Sequence, residues 1–458
     1  MSRAPLAGVL APAEGASSAA DARHTLNKPG RWLCVVILAV ATVVMTPMAH
    51  AESDLQHAVA TAAAGAVLSV APGVHHVHLV LDRPVTLDGQ PGAILDGDGQ
   101  GDVVRIRTAG VTLRNLTMRH SGRDLTAMNA AVYVEKDVDG AVIENNRIQD
   151  VLFGVYLDGP QHVQVIGNVI TGIAGLRVPD RGDGIHLWND AHCVIKGNDL
   201  SGMRDGIYDY VSHDDLIADN HIHEVRYGVH QMYTKNETLQ GNTSWNNVGG
   251  MALMSSDHMR VVDNHIFDNS SYGILFNYVT YSDISGNQIH DIAQERGADN
   301  QVVDGGDGKA LFVYNSEFNR IHGNLLADSS IGIHVTAGSQ DNHVYGNALL
   351  NNRTQVKYVQ NVADEWSLNG KGNYWSNYLG WDLNGDGLGD VPFQPNDGVD
   401  VLLWKYPNAR VLMSSPSILL MRYVQRSFPV FTPPNVQDSH PLMSIPEKLR
   451  VRADDPRH

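Results

Sequence analysis

Cysteine is nearly absent: the 458 residues hold two, Cys34 and Cys193. Cys34 falls in an apolar leader, so the exported chain keeps Cys193 alone and has no internal disulfide. Positive charge is scarce too, with 33 Lys plus Arg against 50 Asp plus Glu and a net charge of −17. That excludes the basic footprint of a nucleic-acid binder. The apolar run Trp32 to Val44 falls short of the roughly 20 residues that span a bilayer. It follows Lys28 and Arg31 and precedes Ala49-His50-Ala51, the pattern of a cleaved export signal, so the mature chain is expected to start at Glu52. Charged residues are only 18% and apolar ones 43%, which excludes a disordered chain and leaves ample core.

What is abundant is asparagine at a fixed spacing. An apolar residue stands three places before each of Asn146, Asn168, Asn198, Asn220, Asn242, Asn264, Asn287, Asn324 and Asn347. Most intervals are 22 or 23 residues, with longer ones of 30 and 37. Such a period is too short for two-helix repeats, and the leucine spacing of leucine-rich repeats is missing. It predicts an all-β, right-handed parallel β-helix with three short strands per coil over residues 52–370, preceded by a leader (1–51) and followed by a C-terminal module (371–458). Asn tolerates a left-handed corner, and stacked Asn side chains hydrogen-bond along such an axis. Each coil also restarts on Gly plus an apolar residue, as in Gly184-Ile185, Gly206-Ile207, Gly228-Val229 and Gly250-Met251. Glu52 to Val67 is expected to form a short helix covering the first coil's open edge. The extra residues of irregular coils, Gly122 to Ala130, Gly175 to Asp183 and Ala293 to Gly306, all leave the stack at one corner. Insertions on one side of a solenoid mark a binding face.

Strand side chains alternate, so the second and fourth residues after each Gly face outward. They are His186 and Trp188, Tyr208 and Tyr210, His230 and Met232, Ala252 and Met254, and Leu275 and Asn277. His230 and Met232 share a rung, and Met254 stacks on Met232 about 4.8 Å away. Imidazole with thioethers is a soft donor set that selects Cu(I) over Mg²⁺ or Ca²⁺. His258 and Met259 in the next turn, and His186 on an earlier rung, complete the candidate copper set. An ordinary covered Met and aromatic surface is the structural alternative. A carbohydrate lyase or epimerase is another, because Asp209 and Gln231 stand where the pattern expects Leu. The chain lacks an Asp-Pro-His-Asp cluster, however. Cys193 shares a column with Asp215, Glu237 and Asn342 and is expected to be a small packed residue.

Past Asn347 the period fails. Asp382, Asn384 and Asp386 alternate before Gly387, with the Leu388 carbonyl and Asp390 beyond, as in an oxygen-rich loop that wraps Ca²⁺. The twelfth position is Phe393 rather than Glu, leaving Asp397 or Asp400 to complete such a site. Ile418, Leu419, Leu420, Met421, Tyr423, Val424 and Phe428 form an apolar, helix-compatible segment suited to docking on a membrane protein.

Gly372-Asn373-Tyr374-Trp375, the Trp381 to Asp390 loop, Pro416-Ser417-Ile418 through Pro429, and Asp438-Ser439-His440-Pro441-Leu442-Met443 together resemble the ending of the NosD family, accessory proteins for nitrous oxide reductase. The resemblance implies a periplasmic protein without catalytic turnover. It also implies partnership with an ABC transporter permease and ATPase, a membrane-anchored copper chaperone and the reductase, in assembly of a copper–sulfur centre.

Overall fold

The computed structural model describes residues 54–293, 307–336, 338–405, 415–427 and 435–453. Insertion residues 294 to 306, and Phe428, lie outside that set. Three parallel sheets of 12, 13 and 12 strands run along the chain, and each strand pairs with the strand one coil earlier and one coil later. The parallel β-helix expected from the 22-residue period is therefore present.

The short strands follow from where the apolar residues stand. In the first sheet the three-residue strands bury the apolar residue at their centre: Ile143, Val165, Ile195, Ile217, Leu239 and Val261. These stack in register from coil to coil. Each burial contributes about 1.5–3 kcal/mol. One continuous apolar core results, drawn from all three sheets.

The corner between the first and second sheets is held by a ladder of buried asparagines. Asn198 donates its backbone N–H and its side-chain NH₂ to Oδ1 of Asn220, at 3.0 Å each. Asn220 does the same to Asn242 at 3.1 and 2.9 Å. The second Nδ2 hydrogen of Asn220 goes back to the Ile195 carbonyl, 2.9 Å away. The pattern runs from Asn146 to Asn373. The ladder Asn is not the left-handed residue. That conformation falls on the residue before it: Asn145, Gly167, Gly197, Asp219, Gly241 and Asp263 have φ between 53° and 65°. Handing the left-handed turn to the preceding residue frees the Asn side chain to point inward, where its four hydrogen-bonding groups are used.

Helix α1 (Asp54–Thr61) covers the open end of the first coil and is shorter than expected, because Ala66–Val70 already forms a strand. Gln56 of α1 donates to the Val80 carbonyl at 3.1 Å and accepts the Val80 N–H at 2.9 Å, capping a strand edge. The insertion around Gly122–Asn129 and that around Gly175–Asp183 both join second-sheet to third-sheet strands, as anticipated.

The stack extends to a last strand, Tyr374–Trp375. It is closed by the C-terminal segment. The buried Asp438 carboxylate accepts the Asn373 N–H at 2.7 Å and Trp375 Nε1–H at 2.8 Å. Gly372 has room only for hydrogen, since a Cβ there would strike Asp438. Helix α2 (Gly398–Lys405) packs Val399 on Ile418 of α3 (Pro416–Ser427), and Leu449 of α4 (Glu447–Ala453) seals second-sheet residues Leu325, Ala327 and Ala348.

Candidate functional site

The third sheet presents the face the sequence pointed to. Its register pairs Tyr156 with His186, His186 with Tyr208, Tyr208 with His230, and His230 with Ala252. The rings form a continuous column. Tyr133 and Tyr156 stack at 5.1 Å and Tyr156 and His186 at 4.5 Å; His186 and Tyr208 follow at 4.9 Å, and Tyr208 and His230 at 4.7 Å. The column stops at His230, because the next rung holds Ala252. Beside it runs a second outward column of Trp188, Tyr210, Met232, Met254 and Asn277. Met232 and Met254 are direct register partners, and both are partly exposed.

The structure thus brings His230, Met232 and Met254 together where the ring column ends. His230 is buried, and its Nδ1 lies 2.9 Å from Oδ2 of Asp205. Arg226 grips the same carboxylate through Nε and a terminal nitrogen, at 2.8 and 2.5 Å. Burial pushes the Asp205 carboxyl up, and the hydrogen bonds from Arg226 and His230 more than reverse this, so it sits below its ordinary range. A carboxylate on Nδ1 fixes the imidazole tautomer and leaves Nε2 as a donor atom. Nε2 of His230 is buried and has no hydrogen-bonding partner. His186 repeats the arrangement two rungs away, with Nδ1 2.9 Å from Asp183, which Arg204 also holds. It stands apart from the His230 group, with the Tyr208 rung between them.

The other two copper candidates are placed elsewhere. Met259 is buried inside the coil, and its sulfur accepts a hydrogen bond from the Thr234 hydroxyl at 3.7 Å. His258 sits in the turn leading to the first sheet, paired with Asp257 and stacked on Tyr281, beside a shallow hollow that Arg260, Asp283 and His322 line. Both follow from the turn after Met254, which carries the chain away from the third sheet. The sequence reading missed Asp183, Asp205, Arg204 and Arg226. The signal was there in the residues before each Gly corner, where Asp183-Gly184 and Asp205-Gly206 repeat.

In the 382–390 loop, Asp382 accepts the Gly385 and Gly387 N–H groups, Asn384 that of Asp386, Asp386 that of Leu388, and Asp390 that of Leu383. Asp397 and Asp400 point to Arg422 of α3. On α3, Ile418 turns inward onto Val399, while Leu419, Leu420, Met421, Tyr423 and Val424 are exposed.

Inside the coil, behind His230 and Met232, lies a cluster of acids. Asp209, Asp215 and Glu237 are all buried, each with an oxygen within 4.8 Å of the other two. Burial pushes Asp209 up to about 7. Burial and the Asp209 charge raise Asp215 to about 8, and burial with both neighbouring charges raises Glu237 to about 11. Cys193 is buried, donates weakly to the Ala191 carbonyl at 3.6 Å, and its thiol is pushed up by burial and by Asp190 and Asp215. It is a packed, unreactive residue.

Residues 166–380 match the family described as "Periplasmic copper-binding protein (NosD)". The chain is 46% identical over 385 residues to the "Probable ABC transporter binding protein NosD" of Stutzerimonas stutzeri, covering 84% of this chain and 88% of that one. The chain belongs to the NosD family. A Pseudomonas aeruginosa relative of the same name is 47% identical over 378 residues, 82% of this chain and 88% of that one. Among solved structures, the A-module of the Azotobacter vinelandii mannuronan C-5 epimerase AlgE4 is similar, with a TM-score of 0.54 at 16% identity over 68% of this chain and 91% of that one. At that identity the likeness is one of fold alone. The NosD family is periplasmic, and among the described residues no helix is long and apolar enough to cross a membrane.

Proposed function

We propose that this NosD-family chain is an accessory protein for nitrous oxide reductase maturation that receives Cu(I) from a membrane-anchored chaperone and passes it on for assembly of the copper–sulfur centre. In this reading it acts with an ABC transporter permease and ATPase and performs no catalytic turnover. The observation that carries it is His230: Nδ1 held by the buried Asp205 carboxylate that Arg226 also grips, Nε2 without a partner, and two thioethers, Met232 and Met254, on its own and the next rung. Nitrogen and thioether sulfur suit a soft monovalent cargo, and the partly exposed thioethers beside the buried imidazole suit one that is handed over. The family description as copper-binding supports the cargo. The relatives' name as ABC transporter binding proteins supports the transporter partner, with the exposed Leu419, Leu420, Met421, Tyr423 and Val424 of α3 as its contact. Nucleotide turnover on the far side of the membrane would change how the β-helix is held and so open or close the His/Met site. The test is reductase copper content in cells carrying the His230→Ala, Met232→Ala, Met254→Ala chain. Loss of copper with normal export supports the site, and full copper loading eliminates it.

A further inference from the structure

The buried acids lie on two successive coils. Asp209 occupies the inward third-sheet column between Leu187 and Gln231, where neighbouring coils place Leu187 and Leu253. Asp215 and Glu237 follow Cys193 in the adjoining corner column, where Asp215 Oδ1 accepts the Cys193 N–H. Polar atoms at these apolar positions are normally matched with partners. Here six oxygens have none: Asp190 Oδ2, Asp209 Oδ1, Asp215 Oδ2, Gln231 Oε1 and both of Glu237. The Asp215 N–H eases the Glu237 charge without reaching hydrogen-bonding geometry. Gln231 is fully buried and already directs its NH₂ at Asp209 Oδ2, 3.2 Å away, which leaves its carbonyl oxygen free. The Gln231 carbonyl oxygen is a further buried, unpartnered acceptor on the rung next to Asp209, and it is neutral, so its position does not depend on the charge of the acids. None of the ion pairs among the described residues involves Asp190, Asp209, Asp215 or Glu237.

We infer that Asp209, Asp215, Glu237 and the Gln231 carbonyl enclose a hard divalent cation inside the coil, distinct in place and chemistry from the outer His/Met face. An all-oxygen set with three carboxylates selects Ca²⁺ or Mg²⁺ over soft metals. Opposite ligands on a Ca²⁺ lie about 4.8 Å apart, twice the roughly 2.4 Å bond, and the three carboxylate oxygens fall within that span. Gln231 stands between His230 and Met232 on one strand, so the ion would brace from behind the strand that carries the outer donors.

The test uses the full exported chain. Protein stripped with EDTA and then offered Ca²⁺ or, separately, Mg²⁺ is desalted and its metal content measured, with melting followed by circular dichroism. About one retained ion per chain and a melting temperature raised by several degrees are expected. The Asp209→Asn, Glu237→Gln chain should lose that ion or bind it at least about tenfold more weakly. The Asp382→Asn, Asp386→Asn chain, altered only in the exposed loop, should keep it. Stripped and loaded wild-type protein with identical melting and no retained ion would overturn the inference, and so would retention by the Asp209, Glu237 variant or loss confined to the loop variant. Should the inner variant fail to fold, the wild-type comparison between EDTA and each cation decides alone.

Discussion

Replacing Asn220 by Ala isolates the ladder that sets the coil period. The substitution removes the acceptor of the Asn198 N–H, one of two acceptors of the Asn198 NH₂, and the donor to the Ile195 carbonyl, all buried. Asn198 keeps its bond to Val165 at 2.9 Å, so the severe losses are one N–H and one carbonyl. At about 1–3 kcal/mol for each orphaned buried group, plus a small cavity, the cost is about 3–5 kcal/mol. Urea unfolding followed by far-UV circular dichroism measures it, with Asn246→Ala as control. Asn246 is exposed and left-handed at φ 58°, so its replacement should cost about 1 kcal/mol from backbone strain alone. Because a solenoid transmits stability between neighbouring coils, the loss should appear as a lowered midpoint or a split transition. Equal costs for the two variants would refute the ladder as the organising element.

Other expectations concern separate parts of the molecule. Asp438→Ala strips acceptors from Asn373, Trp375 and the His440 N–H and should cost about 3 kcal/mol, read as early exposure of Trp375 in denaturant. His334 stacks on Phe312, and burial together with the positive charges of Lys357 and Lys309 lowers its pKa to about 3 from 6.5. The folded chain therefore resists the proton that the unfolded chain accepts, so stability is full above about pH 6.5 and falls by one proton's slope towards pH 3. His334→Phe should flatten that limb; an unchanged slope between pH 6.5 and 3 would contradict the burial. Leu420→Asp with Tyr423→Asp alters residues 62% and 68% exposed, so stability should move by less than about 0.5 kcal/mol while co-purification with the transporter is lost.

The fold was legible because its rule is repeated: one apolar residue, one Asn and one Gly per coil restate the same constraint, so the 22-residue interval survives local irregularity. The ladder's direction was legible, but not its division of labour. Nothing in the Asn spacing separates the residue that takes the left-handed turn from the residue whose amide points inward, and the structure assigns them to neighbours such as Asp219 and Asn220. Alternation along Gly-x-x-x placed His230, Met232 and Met254 on one face, since a strand period of two admits no other arrangement. It failed for His258 and Met259, which lie past the strand's end where alternation no longer applies. Asp205 was missed because its partners come from one coil further on, Arg226 and His230, a relation that only the stacking reveals. The C-terminal motif was recognised by pattern, yet Gly372, Trp375 and Asp438 turn out to interlock as the stack's closure, with α3 left as the exposed apolar element.

Anaerobic Cu(I) titration of the exported chain against a competing chelator, with the His230→Ala, Met232→Ala, Met254→Ala chain alongside, tests the central claim most directly. One tight Cu(I) is expected in the wild type and none in the variant, which should keep the far-UV circular dichroism of the folded β-helix while melting lower, because His230→Ala removes a buried hydrogen bond to Asp205. Equal Cu(I) binding by the two chains, or none by the wild type, would contradict it.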